Sequence, residues 1–258
     1  EYVCCVVASE MPAIFEVDAL KAQAVAVRTY AMAKLKKYYE AEPAAHPEAA
    51  ICNTTHCQVY KTKKELINSN GEKWGDEFWD KVRDACRETE GELIYYNGEL
   101  VTEPLFFSSS GGQTENSEDV FSGAYPYLVS VVSPYEEEAT HTNEQTSFEI
   151  RNIEAIINSC YPERHTGIIT QENTKILSRT AGGRVKEIQI GNCIYTGTEV
   201  RSALGLSSAL FYINFIEEGE KILFTTNGYG HGVGMSQYGA NGMAKEGKNY
   251  REILKHYY

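Results

Sequence analysis

The chain has 258 residues, 42% hydrophobic and 23% charged, which suits one large domain or two small lobes and argues against a disordered chain. Its formal charge of −12 at pH 7 speaks against nucleic acid as a partner, because neutralising phosphates takes a surplus of Lys and Arg. No apolar run approaches the roughly 20 residues that cross a bilayer, and no signal-like stretch opens the chain.

The pattern from Glu1 to Tyr39 is helical. It is already helical at Glu1-Tyr2-Val3, so an upstream segment, such as a membrane anchor, is expected before it. In the first helix Val3, Val6 and Val7 fall at i, i+3 and i+4, and the next position on that face is Glu10. Pro12 biases Met11 out of the α region, so the helix should stop at Glu10 or Met11. A carboxyl there is poorly hydrated and close to the negative end of the helix dipole, and both effects disfavour its ionised form. That is the state a general acid needs; the alternative is a solvated glutamate at a helix end. The adjacent Cys4 and Cys5 suit a packed core.

The second helix carries a stripe of Leu20, Ala24, Val27, Ala31 and Leu35, with Arg28 along the same side and Gln23, expected to be half-exposed, at its border. Arginine keeps its charge when buried and needs an anion or carbonyl nearby. Arg28 therefore either braces a structural carboxylate or orients Glu10 or a ligand. Residues Glu40 to Glu48, with Pro and Ala, read as a linker.

The next stretch, "ICNTTHCQVY", brings Cys52, His56 and Cys57 within six residues, two thiolates and an imidazole, a set that suits zinc. Using all three requires an irregular loop, and a fourth position would remain for water or a carboxylate such as Glu10. A Cys52-Cys57 disulfide and packed thiols are the alternatives that the spacing leaves open. His46 is a further candidate ligand. The chain has seven cysteines, an odd number, so they do not all pair; Cys160 and Cys193 could meet.

From about Leu93 the pattern changes to short β-branched and aromatic runs between Gly, Asn and Ser turns. Asn97-Gly98 predicts a hairpin. "FEIRNIEAIINSCY" predicts a helix with Ile150, Ile153, Ile156 and Ile157 on one face. "GRVKEIQIGNCIYTGTEVRSALG" predicts two strands joined at Gly191-Asn192 and then a helix. The expected fold is α+β: mixed helices and short antiparallel strands in two lobes interleaved along the chain.

Two glycine-rich segments, "FFSSSGGQTENSEDVF" and "GYGHGVGMSQYGANGMA", combine backbone freedom with polar side chains. Ser109 in the first, and His231 and Gln237 in the second, are candidate contacts for a polar ligand. Neither segment has the Gly-Lys-Ser/Thr ending of a phosphate loop. Tyrosine faces can stack on sugar rings, and the chain has 18 Tyr against 2 Trp, though most will be core and strand residues.

"VVASEMPAIFEVDALKAQAVAVRTYA", "CNTTHCQVY" and the two glycine-rich segments, with "YPYLVSVVSPYE" and "SRTAGGRV" between them, closely resemble the stage II sporulation protein D family over nearly the whole chain. The resemblance implies a single catalytic domain with a glycan-binding groove. It implies a lytic transglycosylase that cuts peptidoglycan between N-acetylmuramic acid and N-acetylglucosamine during engulfment of the forespore, leaving 1,6-anhydro ends. Strands already stripped of peptides by a partner amidase are the implied substrate. A membrane protein of the engulfment machinery is an implied partner, and anchorage in the mother-cell membrane facing the intermembrane space an implied location. The acid of the Glu-Met-Pro motif falls on Glu10, the arginine of Arg-Thr-Tyr on Arg28, and a functional tyrosine on Tyr127. Val129 stands where many relatives have a basic residue. The Cys/His loop is similar to the clostridial type, for which zinc near the active site is implied. Two other readings compete: a zinc-dependent peptidoglycan amidase or peptidase with Glu10 as base, and a glycan-binding module that activates a partner hydrolase.

Overall fold

Pro12 stops the first helix at the expected place. Helix α1 (Tyr2–Glu10) is followed by Met11 in an extended conformation, φ −118° and ψ 137°, the region that a following proline imposes. In this computed structural model residues 1–40, 48–54 and 56–258 are described; His46 and residues 41–47 of the expected linker fall outside them.

After α1 come α2 (Val17–Glu40), α3 (Lys63–Asn70), α4 (Glu72–Glu88), β1 (Tyr95–Tyr96), β2 (Glu99–Leu100), β3 (Phe106–Phe107) and α5 (Ser117–Val120). The chain continues with β4 (Glu144–Glu149), α6 (Ile150–Cys160), β5 (Thr174–Arg179), β6 (Val185–Ile190), β7 (Cys193–Thr196) and α7 (Gly197–Leu204). It ends with β8 (Phe211–Ile216), β9 (Lys221–Thr226), β10 (Met235–Ser236), α8 (Gln237–Lys245) and α9 (Tyr250–Tyr257). The fold is α+β, with antiparallel strands. It divides into one compact unit of Glu1–Phe106 with Gly239–Tyr258 and a second of Phe107–Tyr238.

The first unit is built around α2, against which α1, α4 and α9 pack. Leu20, Ala24 and Val27 of the expected stripe are fully buried, whereas Leu35, near the helix end, is exposed. The burial is wider than a stripe: residues 22–27 are buried without a break, because alanines let neighbouring helices approach α2 from several sides. Val6 and Val7 of α1 are fully buried, with Cys4 and Cys5 beside them. From α4 come Trp79, Val82, Ala85 and Cys86, and from α9 Ile253, Leu254 and Tyr257. Thr62 and Glu65 close a capping box at the start of α3, and Asn249 and Glu252 another at α9. The hairpin β1–β2 forms at Asn97-Gly98, both with positive φ, 50° and 86°, as a type I′ turn demands. Among the described residues no helix is long and apolar enough to cross a membrane.

The second unit holds two three-stranded antiparallel sheets, in the orders β4-β9-β8 and β5-β6-β7. Ile153 and Ile157 of α6 join Ile188, Tyr195, Val200, Phe211 and Phe224 in its core. The turn at Gly191-Asn192 forms between β6 and β7; at Gly191 a Cβ would lie 2.1 Å from the Thr166 carbonyl oxygen, so no other residue fits. Cys160 and Cys193 are both free thiols, and Cys193 donates to the His165 carbonyl at 3.1 Å.

Candidate active site

The last turn of α1 holds an extended segment alongside it. Val59 donates its backbone N–H to Oε1 of Glu10 at 2.6 Å, and two residues on Lys61 donates its own to the Ser9 hydroxyl at 3.1 Å. From the first turn, the Tyr2 hydroxyl donates to Oε1 of Gln58 at 3.2 Å, and its ring stacks on Tyr60 at 5.7 Å. Glu10 is half-buried. Burial pushes its pKa above the usual carboxylate range, and the Val59 N–H works against that shift without reversing it.

This segment follows directly on the Cys/His loop. Nδ1 of His56 lies 3.9 Å from Sγ of Cys52 and 3.5 Å from Sγ of Cys57, and the three donor atoms all lie within 4.8 Å of one another. Tetrahedral zinc with ordinary Zn–S and Zn–N bonds sets its ligands about 3.5–3.8 Å apart, so the residues fit that ion. No disulfide joins Cys52 and Cys57. Thr54 shapes the irregular turn: its hydroxyl contacts Cys52 Sγ at 3.2 Å and accepts the His56 N–H at 3.2 Å. That contact is the main reason the Cys52 thiol falls to about 6, which favours the thiolate that metals bind. Glu10 is not a member of this donor set.

Two tyrosines without a role in the sequence-based expectations face this cluster. Burial, then the charges of Cys57, Cys52 and Glu10, push Tyr2 up to about 12. Burial and Cys57 likewise raise Tyr30. Both phenols therefore stay protonated. Tyr2 is recognisable from its place seven residues before Ser9, on one helix face, and Tyr30 from directly following Arg28-Thr29.

Arg28, Thr29 and Tyr30 point to different places. Arg28 donates to the carbonyls of Cys86 at 3.0 Å and Glu92 at 3.1 Å and to the Thr89 hydroxyl at 3.4 Å, so it braces the end of α4. Thr29 accepts the Ile94 N–H at 3.0 Å. Gln23, expected to be half-exposed, has no exposed surface, and neither of its amide atoms has a hydrogen-bond partner. Lys81 of α4 holds the turn after Glu10 through the carbonyls of Ile14 and Phe15, at 3.2 and 2.5 Å.

The remaining candidates belong to the Phe107–Tyr238 unit. Ser109 is fully buried, its backbone bridged to Tyr229 and its hydroxyl without a partner. The His231 ring lies between Phe107, at 5.5 Å, and Phe121, at 5.4 Å; its Nδ1 accepts the Val233 N–H at 3.1 Å, so the neutral ring carries its proton on Nε2. Tyr127 is buried against Tyr125, Gln237 is buried at the start of α8, and Val129 is exposed. Arg184 and Glu115 form an ion pair at 3.2 Å with side chains only 2% and 0% exposed. Arg184 also donates to the carbonyls of Ser110 at 3.0 Å and Gln113 at 3.2 Å. A Cβ at Gly232 would lie 2.3 Å from the Arg184 guanidinium carbon, and one at Gly182 2.2 Å from a Glu115 oxygen. The motifs "SRTAGGRV" and "GYGHG" thus meet at a buried clamp that their residue patterns do not announce.

Cys52, His56 and Cys57 are brought together, then, and Glu10 is tied to the following segment through Val59, while Arg28 is engaged at the end of α4. Residues 1–96 match the family model of the stage II sporulation protein, SpoIID, and residues 136–234 that of a domain of unknown function, DUF8618. The chain is 38% identical over 265 residues to stage II sporulation protein D of Bacillus subtilis (strain 168), covering 100% of this chain and 72% of that one. It is 38% identical over 266 residues to the protein of the same name from Bacillus amyloliquefaciens, with the same coverage of 100% and 72%. The amidase enhancer of Bacillus subtilis (strain 168) is 27% identical over 301 residues, which covers 98% of this chain and 39% of that protein. Similarity that spans the whole chain leads to one conclusion: this protein belongs to the stage II sporulation protein D family.

Proposed function

We propose that the chain is a lytic transglycosylase of the bacterial cell wall, acting in sporulation, with Glu10 as its acid and then its base. The observation that carries this reading is the half-buried Glu10 carboxyl, raised in pKa by burial and held by the Val59 N–H at 2.6 Å. Because Oε1 accepts that hydrogen bond, the proton of the neutral acid belongs on Oε2.

In the proposed reaction Oε2 protonates the bridging oxygen of the glycosidic bond. The bond from C1 of N-acetylmuramic acid to that oxygen breaks, and the sugar's N-acetyl group stabilises the cation that develops. The Glu10 carboxylate then takes the proton of the C6 hydroxyl as O6 bonds to C1, closing a 1,6-anhydro ring and regenerating neutral Glu10. No water is consumed. Glycosidases usually need a second carboxylate for a nucleophile or a water; attack within one sugar dispenses with it, because the effective concentration of the C6 hydroxyl is high.

Cys52, His56 and Cys57 would hold zinc, which when bound supplies fixed positive charge and Lewis acidity. Of this chain's own groups, Val59 orients the carboxyl, Tyr2 and Tyr30 offer protonated hydroxyls, and Arg28 keeps α4 against α2. His231 and Tyr127 are assigned to the glycan. Peptide-free strands as preferred substrate, a partner amidase, a membrane protein of the engulfment machinery and an extracytoplasmic, membrane-anchored location complete the reading. The name of the amidase enhancer relative supports the amidase.

The test is digestion of peptide-free glycan by the parent and by Glu10→Gln. The parent should yield anhydro-ended fragments and the variant none while still binding glycan. A folded Glu10→Gln protein that cleaves at the parent's rate would end the assignment, and peptide release from an intact strand would indicate an amidase.

A further inference from the structure

The glycine-rich loop displays an aromatic ring that the mechanism above does not use. Tyr229 is 46% exposed, yet its backbone is held on every side. Its N–H and carbonyl pair with Ser109 at 2.9 and 3.1 Å, while Gly228 and Gly230 donate to the carbonyls of His141 at 2.7 Å and Ser207 at 3.1 Å. Gly228 permits this approach: its φ is 78°, and a Cβ there would lie 2.6 Å from the Ser109 carbonyl oxygen. The ring is therefore displayed from a fixed backbone.

The His141 imidazole lies against that ring, with centroids 4.4 Å apart and planes tilted by 34°. Its Nδ1 is 3.1 Å from Oε2 of Glu144, and the Ser207 hydroxyl donates to the same oxygen. A carboxylate at Nδ1 keeps the proton of the neutral ring on that nitrogen and makes Nε2 an acceptor. The side chains of His141 and Glu144 remain 32% and 42% exposed. Arg201 is half-buried and lies near enough to Tyr229 for the two to interact electrostatically.

We propose that Tyr229, His141 and Glu144 form a saccharide subsite that takes a hexosamine ring of the glycan strand. The inference rests on the proposed function and adds to it a binding position on the Phe107–Tyr238 unit. An exposed aromatic face covers the C–H face of a pyranose, and polar groups at its edge bond to the ring substituents. Here Nε2 of His141 accepts a hydroxyl proton, the second oxygen of Glu144 accepts another, and the Tyr229 hydroxyl can donate or accept. Because the His141 ring already contacts both Tyr229 and Glu144, and Glu144 accepts from the Ser207 hydroxyl, binding orders few rotors. Arg201 offers a charge to a lactyl group on the sugar. The neighbours His141 and Arg201 are polar, which suits a sugar better than the apolar core of a protein interface.

The test uses the whole chain with Glu10→Gln as the non-cleaving parent and peptide-free glycan strands as the probe, with affinity measured by calorimetry. Tyr229→Ser should weaken binding about fivefold, the scale of one aromatic contact. Tyr229→Phe should stay within twofold of the parent, and His141→Ala should fall with Tyr229→Ser. In the parent, glycan should shift the proton resonances of the Tyr229 and His141 rings. A parent that binds glycan while Tyr229→Ser binds equally well, or while those resonances stay in place, overturns the subsite and leaves the proposed function standing. A parent that does not bind glycan overturns both.

Discussion

Val59 donates its N–H to Glu10 two residues after Cys57, at 2.6 Å. The Cys/His loop is thereby tied to the carboxyl, and whatever orders the loop also positions the acid. The same bond limits the shift that burial causes, so the carboxyl is raised in pKa while Oε1 stays oriented.

The sign of the pH dependence follows. With its folded pKa above its unfolded value near 4.3, Glu10 contributes stability that is fully present below the unfolded value and lost as pH rises through the folded one. Urea unfolding should therefore show the parent losing stability relative to Glu10→Gln as pH climbs from about 4. Values of kcat/KM on peptide-free glycan should fall on the alkaline side as the acid ionises. A parent-to-variant stability difference that is flat, or that rises with pH, would contradict the burial argument.

Zinc should bind as a single equivalent through Cys52, His56 and Cys57, read by competition with a chromophoric chelator. It should raise the thermal midpoint, because an ion that binds only the folded loop shifts the folding equilibrium. Cys57→Ser should abolish both effects. Stoichiometric binding that survives this substitution would place the ion elsewhere.

Arg28→Met should cost about 2–4 kcal/mol of stability, since charged hydrogen bonds to the carbonyls of Cys86 and Glu92 are lost together. Denaturant unfolding measures it. A change within roughly 0.5 kcal/mol, that of an ordinary surface substitution, would show that the brace contributes little.

The buried clamp in the second unit behaves differently. Glu115→Gln leaves Arg184 charged and unpaired and should cost about 3–5 kcal/mol, whereas replacing both partners with apolar residues should cost less than that single change. Gly232→Ala should be as damaging as Glu115→Gln, because φ is 88° there and an added Cβ would meet the guanidinium carbon at 2.3 Å, leaving no room. Unfolding of these variants, compared pairwise, tests the arrangement.

What the sequence makes legible is what individual residues impose on their own backbone. Pro12 dictates the end of α1, and Asn97-Gly98 and Gly191-Asn192 dictate turns, because each acts through local sterics. Helices α3, α4 and α9 are harder to read, although Thr62-x-x-Glu65 and Asn249-x-x-Glu252 mark two of their starts; in α4 the buried face of Trp79, Val82, Ala85 and Cys86 lies among charged residues. Gln23 departs from expectation because burial of α2 depends on how many helices pack on it, and a single-helix pattern does not contain that number. The raised Glu10 is foreseeable from its face and the helix end. Its partner Val59, 49 residues away, is not, and neither are the carbonyls that Arg28 holds.

In the proposed mechanism one carboxyl suffices because no water enters the bond-breaking step. Digestion of peptide-free glycan in oxygen-18 water, followed by mass spectrometry of the new ends, tests it directly. Anhydro-muramic termini without the heavy isotope are expected, and so is their loss in Glu10→Gln. Reducing ends carrying oxygen-18 would contradict the mechanism and make the protein a hydrolase.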